Sequence, residues 1–235
     1  MNQSVERAAS LLNVFSVDRP ELTLAEIAER LGTGRATTHR YAMALRRMGL
    51  LRWNAETHRY AVGAHIIELA SVAMAGLPVL NGAVPYMERL SAEFKQTCVL
   101  SILDGDEPLI LRVVDKTNRL VTINVRPGGR MRRETSAQGR VFVAFGSSRD
   151  LNGPQLSESI LERIRQTHIA VYTSEELGYR AVAAPIFHGG EVAATLGIVG
   201  LINAVPDADT SELAIALKSA GKAISDTLSF TTSDT

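Results

Sequence analysis

Apolar residues recur at helical spacing along the first 50 residues of the chain and predict three helices. The first helix covers residues 5–15, and its apolar face would consist of Val5, Ala8, Leu12 and Phe15. Pro20 is expected to separate this helix from the next one, because proline cannot continue a helix.

The second helix carries signals for both of its ends. Thr23 is a good N-cap, and Glu26 three residues later completes a capping box. Gly32 is expected to end the helix, because glycine readily adopts the left-handed conformation found just past a helix. The apolar stripe of this helix is Leu24, Ile27, Ala28 and Leu31.

A third helix begins near Gly34 or Arg35, after the short turn "GTG", and stops at Gly49. Two β-rich runs, "LLRW" and "RYAV", then flank the polar loop "NAETH" and predict a hairpin. This is the element order of a winged helix-turn-helix. The buried stripe of the third helix is expected to be Thr38, Tyr41, Ala42 and Leu45.

The rest of the chain predicts a linking helix and then an α+β part with a mostly antiparallel sheet. From residue 97, β-rich runs meet at the turns "DGDEP" and "HGG" and predict two hairpins, and "LVTINV" favours a further strand. Helices are expected at "SAQGRVFVAFG", at "SESILERIRQTH" and at the end of the chain. We therefore divide the chain into a winged helix-turn-helix domain (1–62), a linker helix (63–78), a C-terminal α/β domain (79–230) and a tail (231–235).

The charge distribution separates the same N-terminal segment from the rest. Residues 1–62 hold nine arginines, no lysine and six acidic residues, a net charge of +3, whereas the remainder carries −3. A basic segment joined to an acidic one indicates that the first part meets a polyanion. Guanidinium groups match the edge of guanine and the geometry of phosphate. The candidate DNA-contacting residues are Arg35, Ala36, Thr37, His39, Arg40, Met43 and Arg47 on the third helix and Asn54, His58 and Arg59 in the hairpin.

Two other interpretations of this segment are weaker. A single exposed arginine is usually part of a solvated helix face, but here a capped helix, a glycine turn, an arginine-rich helix and a hairpin occur in order. The stretch "GTGRAT" contains G-x-G, as a dinucleotide-binding fingerprint does. It lacks the third glycine and follows a helix instead of a strand, so neither requirement of that motif is met.

Composition and motifs exclude several classes of protein. Cys98 is the only cysteine, so an intramolecular disulfide and a cysteine-based zinc cluster are excluded, which fits a cytoplasmic location. The five histidines lack ligand spacing, and no P-loop, HExxH or nucleophile elbow occurs. No run approaches the roughly 18 apolar residues of a membrane span. We therefore expect a cytoplasmic protein, nucleoid-associated when bound to DNA, that is no enzyme and needs no cofactor or metal.

The segments "SVERAASLLNVFS", "LTLAEIAERLGTGRATTHRYAMALRRMGLL" and "RYAVGAHIIELA" resemble the N-terminal domain of IclR-type transcriptional regulators. The segments "RRETSAQGRVFVAF" and "EELGYRAVAAPIFHGGEVAATLGIVG", with the final helix, resemble the effector-binding domain of that family. The resemblance implies a linker helix used in dimerisation and a C-terminal domain that binds a small molecule. It also implies a homodimer or tetramer that binds a pseudo-palindromic double-stranded DNA operator and regulates, often by repression, the catabolism of organic acids or aromatic compounds.

One candidate effector contact follows from the residues themselves. "TSAQG" places Thr135 or Ser136 at the N-cap of a helix, and the N–H groups of Ala137, Gln138 and Gly139 would then face an anion. The alternative is a plain capped helix that contacts water. The resemblance favours the anion site, and it implies a pocket lined by Leu120, Ile123, Met131, Ala137, Gln138, Val171, Tyr179, Ala181, Gly197 and Val199.

The sequence departs from relatives that sense small oxo acids. Those relatives carry two serines in the segment matching residues 197–199 and an acidic residue near Val171, whereas this chain has apolar residues there. A pocket without these hydroxyl groups is roomier and drier, which favours an aromatic acid whose carboxylate meets the amides of residues 137–139. A small oxo acid such as glyoxylate or pyruvate is the alternative effector. An enzyme and an effector-independent DNA-binding protein are more distant alternatives.

Charged residues close to the predicted pocket leave one question open. Glu134 and Arg140 replace the histidine and the lysine that are usual in the family. The cluster Arg130, Arg132 and Arg133 supplies either a second contact to the anion or ordinary surface charge.

Overall fold

A computed structural model describes residues 3–117, 123–146 and 156–231. The chain divides into two compact units, Met1–Gly76 and Leu77–Thr235. The first unit contains α1 (Gln3–Leu12), β1 (Glu21–Leu22), α2 (Leu24–Leu31), α3 (Arg35–Arg47), β2 (Leu51–Asn54), β3 (Arg59–Val62) and α4 (His65–Ala75). The second contains α5 (Pro78–Phe94), β4 (Thr97–Asp104), β5 (Glu107–Val114), α6 (Ala137–Phe145), α7 (Glu158–Thr167), β6 (Ala170–Ser174), β7 (Tyr179–His188), β8 (Glu191–Leu201) and α8 (Glu212–Thr231).

The first unit is a three-helix core with a small antiparallel sheet. The hairpin predicted after α3 is confirmed as β2 and β3, and the two-residue strand β1 adds to β3 in the order β1-β3-β2. The predicted apolar face of α1 is partly wrong. Leu11 is the fully buried residue of this helix, whereas Val5 is 64% exposed, because α1 packs with its last turn against Ile27 and Tyr41.

The ends of α2 are formed as the sequence predicts. The Glu26 carboxylate accepts from the backbone N–H of Thr23 at 2.7 Å, and the Thr23 hydroxyl accepts from the backbone N–H of Glu26 at 3.3 Å. The backbone N–H of Thr23 and, secondly, its hydroxyl both donate to the Glu26 carboxylate and hold the pKa of Glu26 below its usual value. Gly32 is left-handed with φ 61°, so the chain turns sharply towards α3.

Helix α4 ends the first unit and buries none of its residues within the described chain. The chain just before α4 contacts the residues that follow α3, since the N–H of Gly63 donates to the carbonyl oxygen of Leu50 at 2.8 Å. Its apolar side chains remain exposed, with Ile67 at 70% and Val72 at 73% of their surface open. An apolar helix without a buried face indicates a surface that needs a partner.

The second unit is built on a five-stranded sheet with the strand order β5-β4-β8-β7-β6, in which every neighbouring pair is antiparallel. The α+β fold class and the two predicted hairpins are thereby confirmed. Strand β6 was not predicted. The described part of "LVTINV", residues 123–125, is not a strand, and the rest of that segment lies outside the described residues.

The two faces of this sheet carry different elements, because neighbouring residues of a strand point to opposite sides. Leu196 and Ile198 face the main core, which α5 and α8 cover; we call this side the α8 face. Val99 and Val199 face the other side, together with α6, and we call it the α6 face. Helix α8 lies very close to its face: a side-chain carbon added at Gly221 would stand 2.7 Å from the carbonyl oxygen of Pro185.

Among the described residues, no single helix is long and apolar enough to cross a membrane. Only the adjacent pair α4 and α5 reaches that length and composition, and only when the two helices are taken together.

Candidate DNA-binding and effector sites

Helix α3 presents a basic surface above a buried stripe. The four residues predicted to be buried, Thr38, Tyr41, Ala42 and Leu45, are all buried. On the opposite side, Arg35, Ala36, His39, Arg40 and Arg47 are exposed, and Thr37 and Met43 are half-buried. The helix carries four arginines and no acidic residue. Within the described chain, no carboxylate forms an ion pair with any of these arginines, so their guanidinium groups are available to an external anion.

The turn before α3 fixes the start of this surface. The Thr38 side chain is fully buried, and its hydroxyl lies 2.8 Å from that of Thr33 and 3.2 Å from the carbonyl oxygen of Gly34. The first turn of α3 is therefore tied to the residues that connect it to α2. Arg35, Thr37 and His39 are consequently held on a rigid element, as a base-reading helix requires.

Asn54 and His58, two hairpin residues predicted to contact DNA, differ in their contacts within the loop. The Asn54 side-chain oxygen accepts from the backbone N–H groups of Glu56 and Thr57 at 2.9 and 3.3 Å, so it shapes the loop. His58 is left-handed at the loop end, with its ring 5.9 Å from that of Trp53.

Arg59 is turned back onto the body of the first unit, contrary to the outward role expected for it. Its Nη1 donates to the carbonyl oxygen of Glu21 at 3.2 Å and lies 3.4 Å from the carboxylate of Glu26. Contact of this guanidinium with DNA would require it to leave both groups.

The sequence offered two candidates, Thr135 and Ser136, for the N-cap of helix α6. Ser136 is the N-cap, and its hydroxyl oxygen accepts from the backbone N–H of Gly139 at 3.0 Å while donating to the carbonyl oxygen of Arg132 at 2.6 Å. The expectation that the N–H of Gly139 faces a ligand is therefore wrong, because the cap already satisfies it. The N–H groups of Ala137 and Gln138 remain the candidates for an anion.

Gly139 has a packing role instead. A side-chain carbon at this position would stand 2.4 Å from the Cα and the carbonyl oxygen of Arg133. The segment before α6 thus folds back tightly on the first turn of the helix. Arg140 strengthens the same fold, since its Nε donates to the carbonyl oxygen of Glu134 at 3.1 Å.

Gln138 and Gly197 are brought together on the α6 face. The buried Gln138 amide donates to the carbonyl oxygen of Val99 at 3.1 Å and to the hydroxyl of Ser101 at 3.2 Å. A side-chain carbon at Gly197 would stand 3.1 Å from Cδ and Nε2 of Gln138. The space left by the missing side chain at 197 is therefore filled by Gln138, whereas the sequence suggested that it widens the pocket.

Thr195 lies two residues before Gly197 on β8 and opposite Ser101 of β4. Its side chain is fully buried, and its hydroxyl is the one buried side-chain polar atom without a hydrogen-bond partner among residues 3–117, 123–146 and 156–231. The α6 face thus combines a satisfied amide with an unsatisfied hydroxyl.

An apolar cluster continues this face towards β5. It consists of the buried residues Val99, Ile110 and Val199 and of partly buried residues packed against them, and we call it the β5 cluster. It includes five residues of the predicted pocket: Ile123, Met131, Tyr179, Ala181 and Val199. Burial raises the pKa of the Tyr179 hydroxyl, so this side chain is a neutral phenol at physiological pH. Leu120, a further predicted pocket residue, lies outside the described residues.

Val171 is the predicted pocket residue that the structure does not bring to this face. It pairs with Val182 and packs against the core of the α8 face, because the register of β6 places alternate residues on opposite sides. Its neighbour Tyr172 faces α6 instead, with its ring 6.1 Å from that of Tyr179. Tyr172 was not predicted as a pocket residue, because no strand was predicted at Ala170–Ser174 and the register with β7 decides which side chains face α6.

Arg140 stands beside Tyr172 at the edge of the sheet. Its guanidinium carbon lies 5.0 Å from the centre of the Tyr172 ring, and its Nη1 donates to the carbonyl oxygen of Val171 at 2.8 Å. Burial lowers the pKa of this guanidinium, which nevertheless stays charged at physiological pH. The start of α6 thus has a half-buried cation and two tyrosines nearby.

The arginine cluster before α6 forms surface ion pairs. Arg130 pairs with Asp104, and Arg133 Nη2 lies 2.5 Å from Asp106 Oδ1. Arg132 is exposed. Both ion pairs hold the segment that carries Met131 against the β4–β5 turn, which favours the surface-charge alternative for this cluster.

No group of three or more histidine, cysteine, aspartate or glutamate side chains in the described part of the chain is arranged to hold a metal ion. Cys98 is buried in the core, and burial raises the pKa of its thiol to about 12.

Comparison with known families covers both units. The model of the IclR helix-turn-helix domain matches residues 4–55, and that of the bacterial transcriptional regulator IclR C-terminal domain matches residues 71–153 and 151–226. The chain belongs to the IclR family. Members of the IclR family are DNA-binding transcriptional regulators and not enzymes.

Characterised relatives in the IclR family match over most of the chain. The transcriptional regulator XynR of Escherichia coli is 27% identical over 97% of this chain and 98% of its own length. The Pca regulon regulatory protein of Pseudomonas putida is 24% identical over 83% of this chain and 73% of its own.

Solved structures of IclR-family proteins share the fold. HmgR of Pseudomonas aeruginosa is 26% identical, with a TM-score of 0.76 over 97% of this chain and 99% of its own. An IclR homolog from Microbacterium hydrocarbonoxydans, complexed with 4-hydroxybenzoate, is 22% identical, with a TM-score of 0.81 over 96% of this chain and 98% of its own.

Proposed function

We propose that this IclR-family protein is a ligand-responsive regulator of a catabolic operon that senses a small aromatic acid. The 1–62 domain would bind the operator, the 63–78 helix would join two copies, and the 79–230 domain would bind the effector. The observation that carries the DNA-binding part is the outward face of α3, where exposed arginines stand without acidic partners.

The aromatic character of the effector rests on the α6 face. The β5 cluster is apolar apart from the phenol of Tyr179, and Gly197 is filled by Gln138 instead of offering a hydroxyl. A planar apolar ring suits such a surface, whereas a small oxo acid would leave its oxygens unpaired. The complex of the Microbacterium relative with 4-hydroxybenzoate supports the same class of ligand.

The carboxylate of the effector would meet the start of α6. The N–H groups of Ala137 and Gln138 belong to the first turn of a helix, where the helix dipole favours negative charge. The charge of the nearby Arg140 adds to this preference. Tyr172 and Tyr179 would then flank the ring of the acid.

DNA binding is tested by a gel shift against the promoter region beside the protein's own gene. Arg40→Ala should weaken operator binding about tenfold or more, the loss expected for one base or phosphate contact. Arg19→Ala is the matched control, because Arg19 is an exposed arginine of the same unit in the turn before β1. Equal affinity of the Arg40 variant and the wild type would contradict the assignment of α3.

The effector class is tested by calorimetry with 4-hydroxybenzoate and benzoate against glyoxylate and pyruvate. We expect the aromatic acids to bind and to change the gel shift at the promoter. Tight binding of glyoxylate without any aromatic binding would favour the oxo acid alternative. A thermal shift by none of the acids would instead favour a DNA-binding protein without an effector of this class.

A further inference from the structure

A groove of about 630 Å³ lies on the α8 face of the sheet, away from the proposed effector site. One wall is the outer side of α8, and the other is the β7–β8 turn with His188, Gly189 and Gly190. His168, which follows α7, closes one end. The volume falls in the range of sites for small organic ligands.

The groove has an apolar and aromatic lining. Ile215 of α8 lines it with 58% of its surface exposed, and Phe187 lines it from the hairpin. The Phe187 ring packs against Phe145 and His168, with ring centres 5.2 and 5.6 Å apart. This packing fixes Phe187, so the apolar surface of the groove is preformed.

Cationic groups stand at the rim of the groove. Lys218 and Lys222 are one helical turn apart on α8, and both line it. Lys222 Nζ lies 2.9 Å from the carboxylate of Asp226, whereas Lys218 forms no ion pair within the described chain. Burial of the His168 ring, together with the charge of Lys218, lowers the pKa of this histidine, so His168 is neutral at physiological pH. The groove therefore has one ammonium group, that of Lys218, that no carboxylate of the lining neutralises.

Ser225 lines the groove and forms two hydrogen bonds within the fold. Its hydroxyl accepts from the backbone N–H of Phe187 at 2.8 Å and donates to the carbonyl oxygen of Gly221 at 2.7 Å. The bond from Phe187 connects β7 to α8, and the bond to Gly221 lies within α8. The Ser225 hydroxyl is thus used within the fold, and the unpaired charge of the lining is that of Lys218.

We propose that this groove is a second ligand site, which binds an organic acid with an aromatic or alkyl body. The body lies on Phe187 and Ile215, and the carboxylate contacts the ammonium group of Lys218. A nucleic acid backbone would need a row of unpaired cations, whereas the lining of the groove has a single one, the ammonium group of Lys218. A stable contact with a second protein copy would need about 800 Å² on each side, far more than the few apolar side chains exposed here.

The site is tested on the full-length protein by calorimetry with 1-naphthoate and its neutral analogue 1-naphthamide. We expect the acid to bind at least tenfold more tightly than the amide, because only the acid pairs with Lys218. Lys218→Gln should weaken naphthoate binding about tenfold and remove the preference for the acid. Lys116→Gln, which neutralises an exposed lysine outside the groove, is the matched control.

A second variant blocks the groove by size. Ser219 is exposed and lines the groove, so Ser219→Phe should fill the space and abolish binding there without disturbing the core. Thr227→Phe places the same ring on an exposed position of α8 outside the groove and should leave binding intact. If naphthoate also occupies the α6 face, Ser219→Phe lowers the stoichiometry by one site; if the proposed effector site fails, it lowers the stoichiometry from one site to none.

Two results would overturn the second site. The first is a wild-type protein that binds no naphthoate, and the second is equal binding by the wild type and the Ser219→Phe variant. If the sedimentation coefficient of Ser219→Phe changes in the second case, the groove is a contact with another copy of the chain.

Discussion

Gly197 determines which side chain forms the α6 face beside β8, because its missing side chain leaves room for Gln138. A glycine at 197 lets the Gln138 amide lie against β8 and donate to Val99 and Ser101. The Gln138 amide therefore fills the space beside Gly197 and joins α6 to the sheet through two hydrogen bonds. A larger residue at 197 would force it out.

We expect Gly197→Ser to displace the Gln138 side chain and to weaken the binding of an aromatic acid about tenfold, as coupled neighbours commonly do. The double variant Gly197→Ser with Gln138→Ala should recover most of the loss, because the clash is gone. Calorimetry measures both variants. Gly82→Ser is the control, since nothing lies within 4 Å of a side-chain carbon at that helical position. Equal loss in the single and double variants would argue against the steric explanation.

The unpaired hydroxyl of Thr195 predicts a stabilising substitution. Thr195→Val keeps the shape of the side chain and removes a buried polar atom without a partner, so the free energy of unfolding should rise by about 1 kcal/mol. Thr97→Val on the neighbouring strand should have the opposite sign, because the Thr97 hydroxyl donates to Asp115 at 3.3 Å. Urea unfolding compares the two variants. A Thr195→Val variant less stable than the wild type would mean that this hydroxyl has a partner in solution.

Helix α2 depends on the cap at its N-terminus for its stability. Thr23→Ala should lower the stability of the first unit by about 1 kcal/mol, because the N–H of Glu26 loses its acceptor. Thr23→Ser keeps a hydroxyl and should retain most of the stability. Urea unfolding followed by the fluorescence of Trp53, which packs on the core of this unit, gives the measurement. Equal destabilisation by alanine and serine would exclude capping as the cause.

The elements differ in how far the sequence predicts them. The box of Thr23 and Glu26 and the buried stripe of α3 depend on neighbours a few residues apart, so local patterns suffice. Strands β1 and β6 are set by pairing with β3 and β7, and short runs carry little signal of their own.

The candidate effector site was predictable in composition but not in all its contacts. The side on which Val171 or Tyr172 points depends on the register of β6 with β7, which the sequence alone does not fix. The filling of position 197 by Gln138 joins residues 59 positions apart on different elements, and no local pattern indicates it. The N–H of Gly139 is taken because Ser136, and not Thr135, is the cap.

For the whole molecule, we expect α4 to be the surface that contacts a second copy of the chain. Apolar side chains are exposed all around it, among them Ile67 and Val72, and a charge-poor helix of this kind is stable in water only when it is covered. A dimer joined here would present two α3 helices to a pseudo-palindromic operator.

We therefore expect the double variant Ile67→Glu with Val72→Glu to sediment as a smaller species than the wild type. Its operator affinity should fall at least about tenfold, because one α3 helix replaces two. Leu177→Glu is the control, since Leu177 is equally exposed but lies in the β6–β7 turn of the other unit. A double variant with the mass and operator affinity of the wild type would remove α4 from the interface.

The alternation along β8 has a consequence for how such domains diverge. Thr195, Gly197 and Val199 face α6, whereas Leu196 and Ile198 belong to the opposite core. Point substitutions at the odd-numbered positions can therefore alter ligand preference while the packing that folds the domain is left alone. Gain or loss of a single codon would exchange the two sets at once. Related proteins should consequently differ in this strand by amino-acid substitutions, while the number of residues in the strand stays constant.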